Sequence, residues 1–151
     1  MDFEKDFDIE LSDLKVRERD VAYKYWTYQS GGSILGCRIY EGILYFGCCD
    51  GYLYAVDAKT GKELWRFKTG GVIVSHMPEI HENVVYTVSY DGCLYAIDRN
   101  TGKEIWRFQT GDKCWSSPTY FNDTIYFGSK DENLYAVDAK TGREIWRFST
   151  G

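Results

Sequence analysis

The sequence predicts an all-β fold of repeated four-stranded antiparallel units, and three observations predict it. The first is a stretch that recurs: GYLYAVDAKTGKELWRFKTG at 51–70, GCLYAIDRNTGKEIWRFQTG at 92–111 and ENLYAVDAKTGREIWRFSTG at 132–151. The second is tryptophan spacing: Trp65 to Trp106 is 41 residues, Trp106 to Trp146 is 40, and Trp26 lies 39 residues before Trp65. Self-similarity at this period marks stacked supersecondary units. The third is the content of each unit, in which short β-branched and aromatic runs are broken by Asp, Asn and Gly.

The third unit shows the element order. Residues 113–121 form an apolar-aromatic run, ended by the turn Asn122-Asp123. Residues 124–129 (TIYFGS) follow, then the turn 130–132, the run 133–138 (NLYAVD), the turn 139–142 and the run 144–150 (EIWRFST). Gly61, Gly102 and Gly142 close the tight turn before the last strand, where a residue comfortable at positive φ is needed. In Leu53-Tyr54-Ala55-Val56 every position is apolar, so both faces of that strand are covered. In Trp65-Arg66-Phe67-Lys68 the pattern alternates, which suits an outermost strand with one docked face and one wet face. The basic residues there also discourage edge-to-edge pairing. Four-stranded units stacked face to face in this way are the blades of a β-propeller.

The motif L-Y-A-x-D-x-x-T-G-[KR]-E-x-W-x-F-x-T-G resembles the repeat of the pyrroloquinoline-quinone-like (PQQ-like), tryptophan-docking β-propellers. The resemblance covers residues 33–151, with Pro78 and Ser116-Ser117-Pro118 similar to the innermost-strand signature. WD40 and kelch repeats fit less well, because no W-D dipeptide is present and the period is short for kelch. The resemblance implies that the tryptophan of each outer strand packs on the adjacent blade, a role it gives to Trp65, Trp106 and Trp146. It gives the same role to Trp26, on an outer strand whose own blade is missing or degenerate.

A length of 151 residues suits one domain, and 44% hydrophobic residues supply an ample core. The expected organisation is an acidic segment at 1–23 and PQQ-like repeats over 24–151, with blades at about 33–70, 72–111 and 113–151. The first segment is either a solvated tail or a degenerate fourth blade. Aligning Trp26 on Trp65 sets Leu14-Lys15-Val16-Arg17-Glu18 over Leu53 to Asp57, but Ala22 stands where the turn glycine should be. The fold is thus a partial propeller: three consensus blades plus an N-terminal outer strand or worn blade. Closed rings run from about four to eight blades, and the last unit still carries Trp146 and Phe148. Homo-oligomeric ring completion, with two chains closing seven or eight blades, or membership of a longer propeller is therefore expected.

Charge and composition exclude several function classes. Net charge is −5, and residues 1–20 hold eight acids and four bases, so the repeats are nearly neutral and offer no footprint for nucleic acid. No window approaches the ~18 apolar residues of a membrane span, and the N-terminus has no basic n-region, so a complete chain would be cytoplasmic. No P-loop, Rossmann, HExxH or GxSxG motif is present. Cys37, Cys48, Cys49, Cys93 and Cys114 follow no zinc-ligand spacing and read as small buried apolar residues.

The resemblance also brings in quinoprotein dehydrogenases, which use calcium-binding carboxylates and, in some, a disulfide between adjacent cysteines. Cys48-Cys49 is the pair in question, but the equivalent positions are Ser89-Tyr90 and Ser129-Lys130. An adjacent-cysteine disulfide is also strained and needs an oxidising compartment. Asp57, Asp98 and Asp138 recur at one position, as do Asp50, Asp91 and Asp131, which points to turn formation instead of a catalytic pair. His76, Trp115 and Ser116, with Arg38 nearby, are candidates for lining a central channel. The expectation is a non-catalytic scaffold with a protein partner and neither quinone nor calcium. The alternative is a fragment or relative of a PQQ-dependent quinoprotein dehydrogenase.

Overall fold

A computed structural model describes residues 26–75 and 77–151. The segment 1–23 and His76 lie outside the described residues. Among the described residues the fold is all-β, in three four-stranded antiparallel sheets. Blade 1 comprises β1 (Ile34–Tyr40), β2 (Ile43–Cys48), β3 (Tyr52–Asp57) and β4 (Glu63–Lys68). Blade 2 comprises β5 (Glu79–His81), β6 (Val84–Val88), β7 (Cys93–Asp98) and β8 (Glu104–Gln109). Blade 3 comprises β9 (Thr119–Phe121), β10 (Thr124–Gly128), β11 (Asn133–Asp138) and β12 (Glu144–Ser149). In each sheet the strands lie in chain order, the simple meander of a propeller blade.

The blades are alike in register. Ala55 faces Trp65, Ala96 faces Trp106 and Ala136 faces Trp146, and a bulge follows each of these pairs. The small alanine leaves room for the indole beside it. The innermost strands differ. β1 is seven residues long, whereas β5 and β9 have three each. The run at 113–121 is thus mostly not strand, and the reason is local. Pro118 cannot donate to a ladder, and the Ser116 hydroxyl accepts the Gly128 N–H at 2.6 Å in place of a backbone partner. Besides β9, one isolated bridge, Cys114 to Ser129, remains of the expected pairing. Pro78 stands at the corresponding place before β5.

Hydrophobic core forms between blades. Tyr45, Leu53 and Ala55 of blade 1 meet Val85, Tyr95 and Ile97 of blade 2, with Trp65 and Phe67 packed at the margin. Tyr86, Leu94 and Ala96 of blade 2 meet Ile125, Phe127, Tyr135 and Val137 of blade 3, with Trp106 and Phe108 in the marginal position. A third cluster of Phe46, Cys48, Tyr54 and Val56 lies on the other face of blade 1, covered by Trp26 and Tyr28. Leu53 and Leu94 are fully buried, each contributing about 2 kcal/mol by removal of apolar surface from water. A central strand thus buries alternate side chains against its two neighbouring units, which explains its unbroken apolar character.

The turn glycines tie this packing to backbone geometry. Gly102 has φ +69°, and a Cβ there would lie 2.7 Å from the Trp65 ring. Gly42 has φ +76° with nothing within 4 Å, so it shares the backbone constraint but not the close approach. Replacement of Gly102 by Ala is expected to cost about 3 kcal/mol and replacement of Gly42 by Ala about 1 kcal/mol. Urea denaturation of the two variants checks the difference.

Candidate docking surfaces and clefts

The indole N–H of Trp65 donates to the Arg99 carbonyl at 2.8 Å, and its ring lies over Gly102. Trp106 donates to the Ala139 carbonyl at 3.2 Å, over Gly142. Trp26 donates to the Ala58 carbonyl at 3.0 Å, over Gly61. Two residues on, Phe67 meets Tyr95 edge to face at 5.4 Å and 64°, and Phe108 meets Tyr135 at 5.4 Å and 64°. Tyr28 meets Tyr54 at 5.5 Å and 65°. The segment 26–28 therefore docks on blade 1 as β4 docks on blade 2 and β8 on blade 3. Tyr28 adds a hydroxyl that donates to Glu63. Burial first, and that bond second, push its phenol up to about 12.

Trp146 has the same place on β12. Its ring lies 5.9 Å and 50° from Tyr126, matching Tyr45 with Trp65 at 5.9 Å and 51°. Yet Trp146 is 42% exposed and Phe148 62% exposed, and Leu134 is 38% exposed where Leu53 and Leu94 are at 0%. The forward face of blade 3 is thus shaped like the faces that carry Trp65 and Trp106, but within this chain it meets water.

Two sets of aspartates hold the turns on which docking depends. Asp98 Oδ1 accepts the Thr101 hydroxyl at 2.8 Å and the Thr101 and Asn100 N–H groups at 2.8 and 3.0 Å. Asp57 and Asp138 do the same for Thr60 and Thr141. The threonine hydroxyls, then the backbone donors, hold all three carboxyls below the usual carboxylate range. The second set joins blades. Asp131 accepts the Tyr135 hydroxyl at 2.6 Å and the Gly111 N–H at 2.8 Å from the connection out of blade 2. Asp50 makes the same bonds to Tyr54 and Gly31, and Asp91 to Tyr95 and Gly70. Burial raises the pKa of Asp50 and Asp131, but hydrogen bonds led by the tyrosine hydroxyls outweigh it and leave both lowered.

Of the candidates for a channel lining, His76 lies outside the described residues, and Trp115, Ser116 and Arg38 each make local contacts. Trp115 is 55% exposed, with the Lys130 ammonium 4.7 Å over its ring and Tyr90 beside that lysine. Ser116 is committed to Gly128, and Arg38 pairs with Glu79 of the next blade at 2.8 Å. Sequence reasoning missed a different feature, a cleft of about 360 Å³ between blades 2 and 3. Its lining includes His81, Glu82, Trp106, Tyr120, Asp123 and Ala139. The signal for it was one departure from the repeat: Arg99 stands where the other units have Ala58 and Ala139.

Among the described residues no three of His, Cys, Asp and Glu converge in a way that could hold a metal. Both recurrent aspartate sets already accept turn and tyrosine donors. Cys48 and Cys49 are free thiols, and Cys48 is fully buried among Phe46, Tyr54 and Val56 under Trp26 and Tyr28. No helix among the described residues is long and apolar enough to cross a membrane.

A family model described as outer membrane protein assembly factor BamB matches residues 41–151. The chain belongs to this PQQ-like β-propeller repeat family. The structure of BamB from Moraxella catarrhalis superposes with a TM-score of 0.73 at 23% identity, covering 82% of this chain and 40% of that one. Quinohemoprotein alcohol dehydrogenase from Comamonas testosteroni superposes with a TM-score of 0.69 at 22% identity, covering 78% of this chain and 21% of that one. At these identities the likeness is one of fold. A curated relative, 1-butanol dehydrogenase (quinone) from Thauera butanivorans, is 59% identical over 34 residues, which is 22% of this chain and 6% of that protein. The chain thus spans less than half of the length of each of these proteins.

The lowered carboxylates set a pH dependence. A carboxyl whose folded pKa lies below its unfolded value, about 3.9 for Asp, contributes stability that is present above that value. The contribution is lost as pH falls through the folded pKa. Unfolding free energy is therefore expected to be flat above about pH 5 and to fall below about pH 4. Asp131→Asn should reduce that acid slope, as urea titrations between about pH 3 and 6 would show.

Proposed function

We propose that this chain is a non-catalytic propeller scaffold that binds a protein partner and completes its ring by self-association through the forward face of blade 3. The carrying observation is that Trp146 holds against Tyr126 the geometry that Trp65 has against Tyr45, while Trp146, Leu134 and Phe148 are exposed. An apolar face of this kind is stabilised by a further blade. Membership of a family described as an outer membrane assembly factor supports a protein-binding role. Light scattering is expected to give a multiple of the 17.5 kDa chain mass, with Phe148→Asp shifting the protein to monomer. A folded wild-type monomer at all concentrations would contradict self-association.

The short, highly identical match to a quinone-dependent dehydrogenase favours a second reading, in which the chain is a section or relative of such an enzyme. The scaffold reading predicts an unchanged melting temperature when PQQ and calcium are added. A clear rise at micromolar quinone would favour the dehydrogenase reading, because a ligand that binds only the folded state stabilises it.

A further inference from the structure

The junction between blades 1 and 2 contains a template for what the cleft between blades 2 and 3 can hold. At the first junction Arg99 reaches from the turn after β7 towards the inner part of blade 1. Its guanidinium donates to Glu41 at 2.6 Å and to Asn83 at 3.3 Å, and lies 4.8 Å over the Tyr40 ring. The Arg99 side chain is only 11% exposed, so the groove is closed around it.

At the second junction the repeat substitutes three of the four parts of this arrangement and keeps the glutamate. Ala139 replaces Arg99, so among the described residues no side chain fills the groove as Arg99 does. The position of Glu41 is Glu82, with its backbone in the same left-handed conformation (φ 49° against 47°). The position of Asn83 is Asp123, a carboxylate in place of an amide, and that of Tyr40 is His81. All three line the cleft, where the His81 and Tyr120 rings stack in parallel at 3.6 Å. Lys140 also lines it and lies 3.6 Å from Asp123. Its side chain is 75% exposed, so its hold on Asp123 is weak. Glu82 is 82% exposed, and the His81 imidazole lies 3.8 Å from it.

We propose that the blade 2–blade 3 cleft is a receptor for an arginine side chain supplied by a partner polypeptide. The guanidinium would take the place that Arg99 fills at the neighbouring junction, donating to Glu82 and Asp123 beside the stacked His81 and Tyr120 rings. A planar fork suits two separated oxygen acceptors and an aromatic wall better than an ammonium does. The source of the arginine rests on the scaffold reading. The cleft itself is tested with a small molecule, so failure of one is distinguishable from failure of the other.

Isothermal titration of the full chain with N-acetyl-arginine amide is expected to show saturable, one-to-one, millimolar binding. The neutral isostere N-acetyl-citrulline amide should not bind. Glu82→Gln, on an exposed side chain, should weaken binding about fivefold, in line with loss of one charge-assisted bond. Ala139→Arg should abolish it by filling the cleft from within, while circular dichroism reports an intact fold. Absence of saturable binding, equal binding of the citrulline compound, or unchanged affinity in Glu82→Gln would each overturn the proposal. Should Ala139→Arg not fold, Lys140→Glu serves in its place and should tighten binding by freeing Asp123; weaker or unchanged binding would count against the site.

Discussion

The structure depends on one interaction, an indole laid over a turn glycine with its N–H on the carbonyl three residues earlier. Each blade alone has two apolar faces and cannot bury either. The tryptophan of one outer strand solves this for the following blade, because the turn Asp-x-x-Thr-Gly presents a bare backbone and an unpaired carbonyl in one place. Every element of the turn serves that purpose. The aspartate collects the turn N–H groups, the threonine hydroxyl closes them, and the glycine admits the ring where any Cβ would collide with it.

Much of this was legible in the sequence. The period, the strand count and the outermost position of the Trp-x-Phe strand follow from repetition and alternation alone. The docking partners are less direct, since Trp65 and Gly102 lie in different repeats and only the three-dimensional stack brings them together. The inner strands were overestimated because Tyr, Trp and Cys in 113–121 have strand propensity. Pro118 and the Ser116 hydroxyl compete for the same hydrogen bonds and win locally. Residues 26–28 read as an outer strand, and they occupy an outer strand's place while lying outside any described ladder.

The repeats differ most tellingly in their departures from one another, while the consensus positions hold the stack together. Arg99 in place of alanine changes one junction from a cleft to a closed, charged seam, and leaves the next junction open. The meaning of that substitution lies across the junction, in Glu41 and Tyr40, which no inspection of a single repeat reveals. The open blade 3 face has the opposite origin: it keeps the consensus residues, and among the described residues nothing covers them.

Docking of each indole on the next blade holds the stack together, and among the described residues Trp146 is exposed where Trp26, Trp65 and Trp106 are seated. Indole N–H exchange, followed by NMR on tryptophan-labelled protein across a concentration series, tests this most directly. The account predicts slow exchange for Trp26, Trp65 and Trp106 at every concentration, and slowing of Trp146 only as assembly proceeds. Fast exchange at Trp65 and Trp106, or protection of Trp146 in a dilute monomer, would contradict it.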